Sequence, residues 1–137
     1  MGVFNHELKV SASVEELNHV VEWVDKILEK ETCTIKSHSQ IAIVLEEIFV
    51  NIAQYAYTRE GDMCIRLGFE GPQMIMQFED SGQAFNPVEY LSLDTKAGIE
   101  QRRIGGMGIY IIRKMTDEIS YNRVNDKNIF TIRKTIR

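Results

Sequence analysis

Apolar residues recur at helical spacing in three parts of the chain. The three stripes consist of Val14, Leu17, Val21, Val24 and Leu28; of Ile41, Val44, Leu45, Ile48, Ile52 and Tyr55; and of Ile109, Ile112 and Met115. Ser13 and Glu16 have the spacing of a capping box, in which the Ser13 hydroxyl accepts a backbone N–H and Glu16 reaches back. We therefore predict a first helix ending near Lys30, a second beginning near Ser39 and a third following Gly108.

Alternating apolar and polar residues predict strands around these helices. A first strand is expected at residues 3–10. Two hairpins follow, one from MCIRLGF and MIMQF with its turn at residues 70–73, the other from EISYNRV and NIFTIRK with its turn at residues 125–127. The resulting order predicts a single α+β domain over residues 1–137. We expect a two-layer sandwich with helices on one face of a mainly antiparallel sheet.

The composition narrows the class of protein. The 137 residues are 44% hydrophobic with a formal net charge of -4, which fits a globular domain and argues against general affinity for nucleic acid. Cys33 and Cys64 fit no metal-ligand spacing, and no apolar run is long enough for a membrane span. We therefore expect a soluble cytoplasmic protein with free thiols and no membrane partner. We expect the basic side chains near the C-terminus to be solvated at strand edges rather than to form a binding patch. They are Arg113, Lys114, Arg123, Lys127, Arg133, Lys134 and Arg137.

Glu47 and Asn51 lie four residues apart in the segment LEEIFVNIAQYAY, at the border of the second apolar stripe. Residues at this spacing share one face of a helix. A carboxylate there could accept a proton, and an amide oxygen there could coordinate a hard cation such as Mg²⁺. The alternative is a polar flank that only bounds the core.

Asp80 and Gly82 end the first hairpin in the segment FEDSGQAFNP. A carboxylate at the end of a strand can be buried while the following glycine lets the backbone turn. Such a carboxylate accepts hydrogen bonds from an exocyclic amine, as adenine would offer. The alternative is a simple turn, in which Asp-x-Gly is common.

Gly105, Gly106 and Gly108 surround Met107 at the start of the third helix. Glycines let the backbone approach a ligand closely, and the free N–H groups of a helix N-terminus suit phosphate. The preceding loop, residues 88–103, ends in two arginines that suit phosphate contact, unless they form only a solvated basic end. The helix with Glu47 and Asn51, the strand end with Asp80, the loop and the glycines together describe one pocket. It would contain a proton-accepting side chain and hold a metal, a triphosphate and a purine.

The segments LEEIFVNIAQYAY, FEDSGQAFNP and RRIGGMGIYIIRKMTDEISY resemble the GHKL (Bergerat-type) ATP-binding fold. Within that group, nearly the whole chain resembles the RsbW-like anti-sigma factors that are serine-protein kinases. The resemblance implies a Mg-ATP-dependent kinase that phosphorylates a serine of an anti-anti-sigma (STAS-type) partner, binds a sigma factor and forms a homodimer. The alternative is a non-catalytic module of the same fold that binds ATP or a sigma factor. A complete histidine kinase is not favoured, because no long dimerisation helices display His6, His19 or His38.

The resemblance also implies roles for individual residues. Glu47 would be the general base, Asn51 the protein ligand of Mg²⁺ and Asp80 the acceptor of the adenine amino group. Gly82 would let the adenine ring approach the backbone, and residues 88–103 would form the ATP lid. The phosphates would be contacted by Arg103, Gly105, Gly106, Met107 and Gly108.

Three positions depart from the family pattern. Tyr55 stands where many members have histidine, and Ala84 replaces a glycine often found after Asp-x-Gly. The Gly-Thr pair common before the last strand is replaced by Lys127 and Asn128. A threonine contact to the nucleotide is therefore not implied for this chain.

Overall fold

The computed structural model describes residues 4–53, 61–84 and 107–137. These ranges contain β1 (Phe4–Ser11), α1 (Leu17–Leu28), α2 (Ile35–Asn51), β2 (Asp62–Glu70), β3 (Gln73–Asp80), α3 (Met107–Met115), β4 (Glu118–Val124) and β5 (Lys127–Thr135). The predicted order of strands and helices is confirmed within them. The predicted lid, residues 88–103, lies outside the described residues. None of the helices in these ranges is both long and apolar enough to cross a membrane.

All five strands belong to one antiparallel sheet, in the order β1-β2-β3-β5-β4. Both predicted hairpins are present, with Gly71 at a φ of 58° in the first turn. Asn125 and Asp126 have φ values of 52° and 62° in the second turn. Positive φ at both central residues is typical of a type I′ turn, whose twist suits a tight hairpin. The turn chemistry of the sequence therefore fixes the registers of β2 with β3 and of β4 with β5.

One face of the sheet packs against the helices and forms the core. Alternate residues of the central strands supply its floor: Met63, Ile65, Leu67, Met74, Met76, Phe78, Phe130 and Ile132. The helices supply Val20, Val24, Ile41, Val44, Leu45, Ile48 and Ile112. On the opposite face, Arg66 pairs with Glu7 at 3.0 Å and with Glu79 at 3.1 Å. The predicted sandwich with helices on one face is confirmed.

Two details of the helix starts differ from the predictions. Helix α2 begins at Ile35 rather than near Ser39, because the Thr34 hydroxyl accepts a hydrogen bond from the Ser37 N–H at 3.0 Å. The start escapes the apolar pattern because Ile35 is 87% exposed. The reciprocal half of the capping box is also wrong. The Ser13 hydroxyl accepts from a backbone N–H at 3.4 Å, but the Ser13 N–H donates to a backbone carbonyl at 2.8 Å instead of to Glu16.

Contacts with the end of β5 set the direction of α2. The Thr34 N–H donates to the Ile136 carbonyl at 2.8 Å, and the Ser37 hydroxyl donates to the Thr135 carbonyl at 3.4 Å. The Lys134 ammonium donates to the Gln40 side-chain oxygen at 2.6 Å. Because the start of α2 is held at this end of β5, the helix runs back along the sheet towards the opposite end.

Lys134 also fixes helix α3. Its ammonium donates to the Met115 carbonyl at 2.7 Å, at the last residue of α3, and its side chain is only 7% exposed. The prediction that Lys134 is solvated at a strand edge is therefore wrong. The start of α2 and the end of α3 meet at one lysine, and the two helices pack together. Helix α3 consequently directs its N-terminus towards the C-terminal end of α2.

Candidate functional site

Helix α2 carries Glu47 and Asn51 to its last turn. Asn51 lies eleven positions after Gln40 in the helix, which corresponds to about 16 Å of rise. Along β5, Lys134 and Asn128 are about 20 Å apart. The end of α2 therefore lies over the part of the sheet where β3 ends, since Asp80 pairs with Asn128.

Asn51 combines deep burial with an unused hydrogen-bonding atom. The residue is 4% exposed, and its Nδ2 donates to the Glu47 backbone carbonyl at 2.6 Å. Its Oδ1 is buried and has no hydrogen-bond partner in the described part of the chain. An unpaired buried polar atom costs about 1–3 kcal/mol. An amide oxygen is also a good ligand for a hard cation, so this atom has the chemistry expected of a magnesium ligand.

Glu47 lies one helical turn before Asn51 and is partly buried. Burial raises the pKa of the Glu47 carboxyl above its ordinary value, and the charge of Glu46 raises it further. A carboxylate with a raised pKa is a better proton acceptor, because catalytic bases work best when their pKa approaches the working pH.

Asp80 is the last residue of β3, and its side chain points to the helix-covered face. Strand register places it opposite Met63 on one side and Asn128 on the other, and it is 3% exposed. Its Oδ1 accepts from the Gly82 N–H at 2.9 Å and from Asn128 Nδ2 at 2.9 Å. Burial raises the pKa of Asp80, whereas these two hydrogen bonds and the charge of Arg123 act in the opposite direction.

Asn128 and its neighbours are a part of this site that the sequence motifs do not predict. The carboxamide of Asn128 donates to Asp80 and to the Gln83 carbonyl, each at 2.9 Å. Its Oδ1 accepts from the hydroxyl of Tyr121 and from Arg123 Nη1. The second hairpin aligns Arg123 with Asn128, but Asn128 is aligned with Asp80 only by the pairing of β5 with β3, which the hairpin patterns do not predict.

The structure brings only some of the predicted site residues together. Asp80 and Gly82 share a hydrogen bond, and Asn51 and Glu47 share another within α2. The backbone of Met107 and Gly108 begins α3, whose N-terminus is directed towards this end of α2. Arg103, Gly105 and Gly106 lie outside the described residues, as does Tyr55.

Comparison with known proteins identifies the family. The model of the histidine kinase-like ATPase domain matches residues 10–134, so the chain belongs to that family. The chain is 20% identical over 127 residues to the serine/threonine-protein kinase BtrW of Bordetella bronchiseptica, covering 91% of this chain and 89% of the relative.

A solved structure supports the same fold. The RsbU and RsbW domains of Rv1364c from Mycobacterium tuberculosis match with a TM-score of 0.63 and 12% sequence identity. The match covers 96% of this chain, which spans about a third of that structure's chain (33%). The predicted resemblance to RsbW-like GHKL proteins is confirmed, and the predicted α+β fold with it.

Proposed function

We propose that this chain is a Mg-ATP-dependent serine-protein kinase that also acts as an anti-sigma factor. The observation that carries the proposal is the buried Oδ1 of Asn51, which has no hydrogen-bond partner among the described residues and lies one helical turn from a carboxylate whose pKa is raised. A helix flank that merely bounds the core gains nothing from an unsatisfied amide oxygen, because that atom costs stability. A cation held there would relieve the cost.

Binding of the adenine base would fall to Asp80 and Gly82. The Oδ1 of Asp80 is held by two donors, and no hydrogen bond reaches its Oδ2 within the described residues. A buried carboxylate that is already an acceptor favours a base carrying an amino group. Arg103, Gly105, Gly106, Met107 and Gly108 would contact the phosphates, with residues 88–103 closing over them as the lid.

The residues at the end of α2 would handle the metal and the proton. When bound, Mg²⁺ neutralises charge on the phosphate oxygens, and Asn51 would hold it through Oδ1. Glu47 would accept the proton of the attacking serine hydroxyl. The serine oxygen then forms a bond to the γ-phosphorus, the bond from that phosphorus to the β–γ bridging oxygen breaks, and ADP leaves. The raised pKa of Glu47 suits a proton acceptor in this step.

The partners follow from the family rather than from the fold alone. BtrW is a serine/threonine-protein kinase, and the matching structure contains an RsbW domain. We infer a serine of an anti-anti-sigma (STAS-type) protein as the phosphate acceptor, a sigma factor as the sequestered partner, a homodimer and a cytoplasmic location. The alternative is a module that binds ATP or a sigma factor without phosphate transfer.

Calorimetric titration of ATP into the purified protein, with and without Mg²⁺, tests the pocket first. Asp80→Ala is expected to abolish binding, and Asn51→Leu to abolish the effect of magnesium. Glu79→Gln is the matched control, since Glu79 precedes Asp80 on β3 but pairs with Arg66 on the opposite face. Wild-type protein that does not bind ATP would refute the proposal.

Phosphate transfer then separates the kinase from the binding module. The protein is incubated with γ-labelled ATP, Mg²⁺ and purified STAS-domain proteins encoded in the same genome, and phosphoserine is located by mass spectrometry. Transfer that falls by about 10²-fold or more in Glu47→Gln, with ATP affinity retained, supports the base. ATP binding without transfer to any of these proteins would favour the non-catalytic alternative.

A further inference from the structure

Asn128 lies beside Asp80 in the sheet, and its side chain is held on every side. Each of its two Nδ2 hydrogens has an acceptor, Asp80 Oδ1 and the Gln83 carbonyl. Its Oδ1 accepts from Tyr121 and from Arg123. The residue is 3% exposed. A carboxamide with all of its hydrogen-bonding positions in use has no capacity left for direct contact with a ligand.

The donors around Asn128 determine which way its amide points. Tyr121 donates its hydroxyl hydrogen, and the Arg123 guanidinium can only donate. Both therefore require the amide oxygen on their side, which leaves Nδ2 facing Asp80. A reversed amide would place Nδ2 against a guanidinium and an oxygen against a carboxylate, so the orientation is fixed by the network.

The fixed amide in turn fixes Asp80. Because Nδ2 of Asn128 and the N–H of Gly82 both donate to Oδ1, the carboxylate is held as an acceptor and cannot rotate freely. Arg123 Nη1 also donates to the Gly82 carbonyl at 2.9 Å, so the same network holds the backbone that follows Asp80. Among the described residues, the hydrogen bonds to Asp80 use Oδ1 and leave Oδ2 to face a ligand.

We propose that Asn128 is a positioning residue that determines base specificity: it orients Asp80 so that Oδ2 accepts from a 6-amino purine and rejects a 6-oxo purine. The inference rests on the proposed nucleotide site and adds to it a residue that does not touch the ligand. An amino group would donate to Oδ2, whereas the carbonyl of hypoxanthine would face it as a second acceptor. Without the Asn128 donor, Asp80 could rotate, and the discrimination would weaken.

The test compares the affinities for ATP and inosine triphosphate in the presence of Mg²⁺, by calorimetry. In Asn128→Ala we expect the preference for ATP to fall by about tenfold, which corresponds to about 1.4 kcal/mol. Asn128→Thr supplies one hydroxyl donor and is expected to recover part of the preference. Gln77→Ala is the matched control, since this carboxamide contacts Arg66 and Thr131 on the opposite face of the sheet.

The ratio of the two affinities separates positioning from a purely structural role. If Asn128→Ala lowers the affinities for ATP and inosine triphosphate equally, or changes neither, the inference is overturned while the proposed function stays intact. Should Asn128→Ala fail to fold, Tyr121→Phe removes one donor to the amide oxygen and is expected to lower the ratio by about twofold. An unchanged ratio in that variant would also count against the proposal. Wild-type protein that binds neither nucleotide would overturn both the function and this inference.

Discussion

Replacing Asn51 by leucine is expected to stabilise the fold while removing magnesium-dependent nucleotide binding. The substitution keeps the branching at Cγ but removes the buried Oδ1, which has no partner among the described residues. Removing an unsatisfied buried acceptor recovers about 1–3 kcal/mol. The Nδ2 hydrogen bond to the Glu47 carbonyl is lost as well, at a cost of about 0.5–1.5 kcal/mol. Leucine also has the higher helix propensity, by a few tenths of a kcal/mol.

The sum is a gain of about 1 kcal/mol in the free energy of unfolding. For a chain of 137 residues, the entropy of unfolding converts each kcal/mol into about 3–4 °C of Tm. Asn128→Leu is the matched control, because it makes the same chemical change at a carboxamide that is fully hydrogen-bonded. That variant loses four hydrogen bonds, one of them to a carboxylate, and should be destabilised by about 3 kcal/mol or more.

Urea denaturation in EDTA without nucleotide measures both variants. Trp23, the single tryptophan, packs against the core from α1 and provides the fluorescence signal. The slope of free energy against urea should stay unchanged, so that a shifted midpoint reports stability alone. Addition of Mg²⁺ to the ATP complex should then stabilise the wild-type protein further but not Asn51→Leu, since only a folded state that binds the ligand is stabilised by it. If Asn51→Leu is instead less stable than the wild type by about 1 kcal/mol or more, the Oδ1 of Asn51 does not destabilise the ligand-free fold, and the reasoning is refuted.

Three further outcomes follow from the same contacts. The rate of phosphate transfer should fall as the pH decreases through the raised pKa of Glu47. This fall should occur at a higher pH than it would for a glutamate with an ordinary pKa. Glu47→Gln should remove the fall from the rate–pH profile. Because burial raises the pKa of Asp80 in the folded state, its charge costs stability at neutral pH. Wild-type stability should therefore improve relative to Asp80→Asn as pH falls through that pKa, and melts at several pH values that show the opposite trend would contradict it. Thr34→Ala should lower the free energy of unfolding by about 1 kcal/mol in urea, and Ser13→Ala by less, since the Ser13 bond is longer at 3.4 Å; equal losses would argue against the cap.

The fold could be predicted because its local patterns agree with its packing. In the first hairpin every second residue is apolar and most of these side chains are buried against the helices, although Cys64 and Ile75 on the other face are apolar and buried as well. The turn residues Asn125 and Asp126 suit the positive φ that a tight hairpin needs. The early start of α2 could not be found in the same way, because its first turn is capped by Thr34 and buries little apolar surface.

Lys134 shows a second limit of pattern reading. A lysine in an alternating strand is ordinarily solvated, and its burial depends on two partners far away in sequence, Gln40 on α2 and the Met115 carbonyl ending α3. The ammonium satisfies a carbonyl that the helix end leaves unpaired. Burial lowers the pKa of Lys134, while the charge of Asp117 raises it in part. Such a position is defined by helix packing, which the sequence of one strand does not encode.

At Asn128 the strand pairing shows a contact that the residue type alone does not predict. Judged by residue type alone, the loss of threonine removes a polar contact with the nucleotide. The register of β3 with β5 instead places Asn128 beside Asp80, 48 residues away in sequence. A threonine hydroxyl has one hydrogen to donate, whereas the carboxamide donates twice and its orientation is set by Tyr121 and Arg123. Asn128 therefore gives the carboxylate of Asp80 a donor of fixed orientation, a contact that only the strand order makes visible.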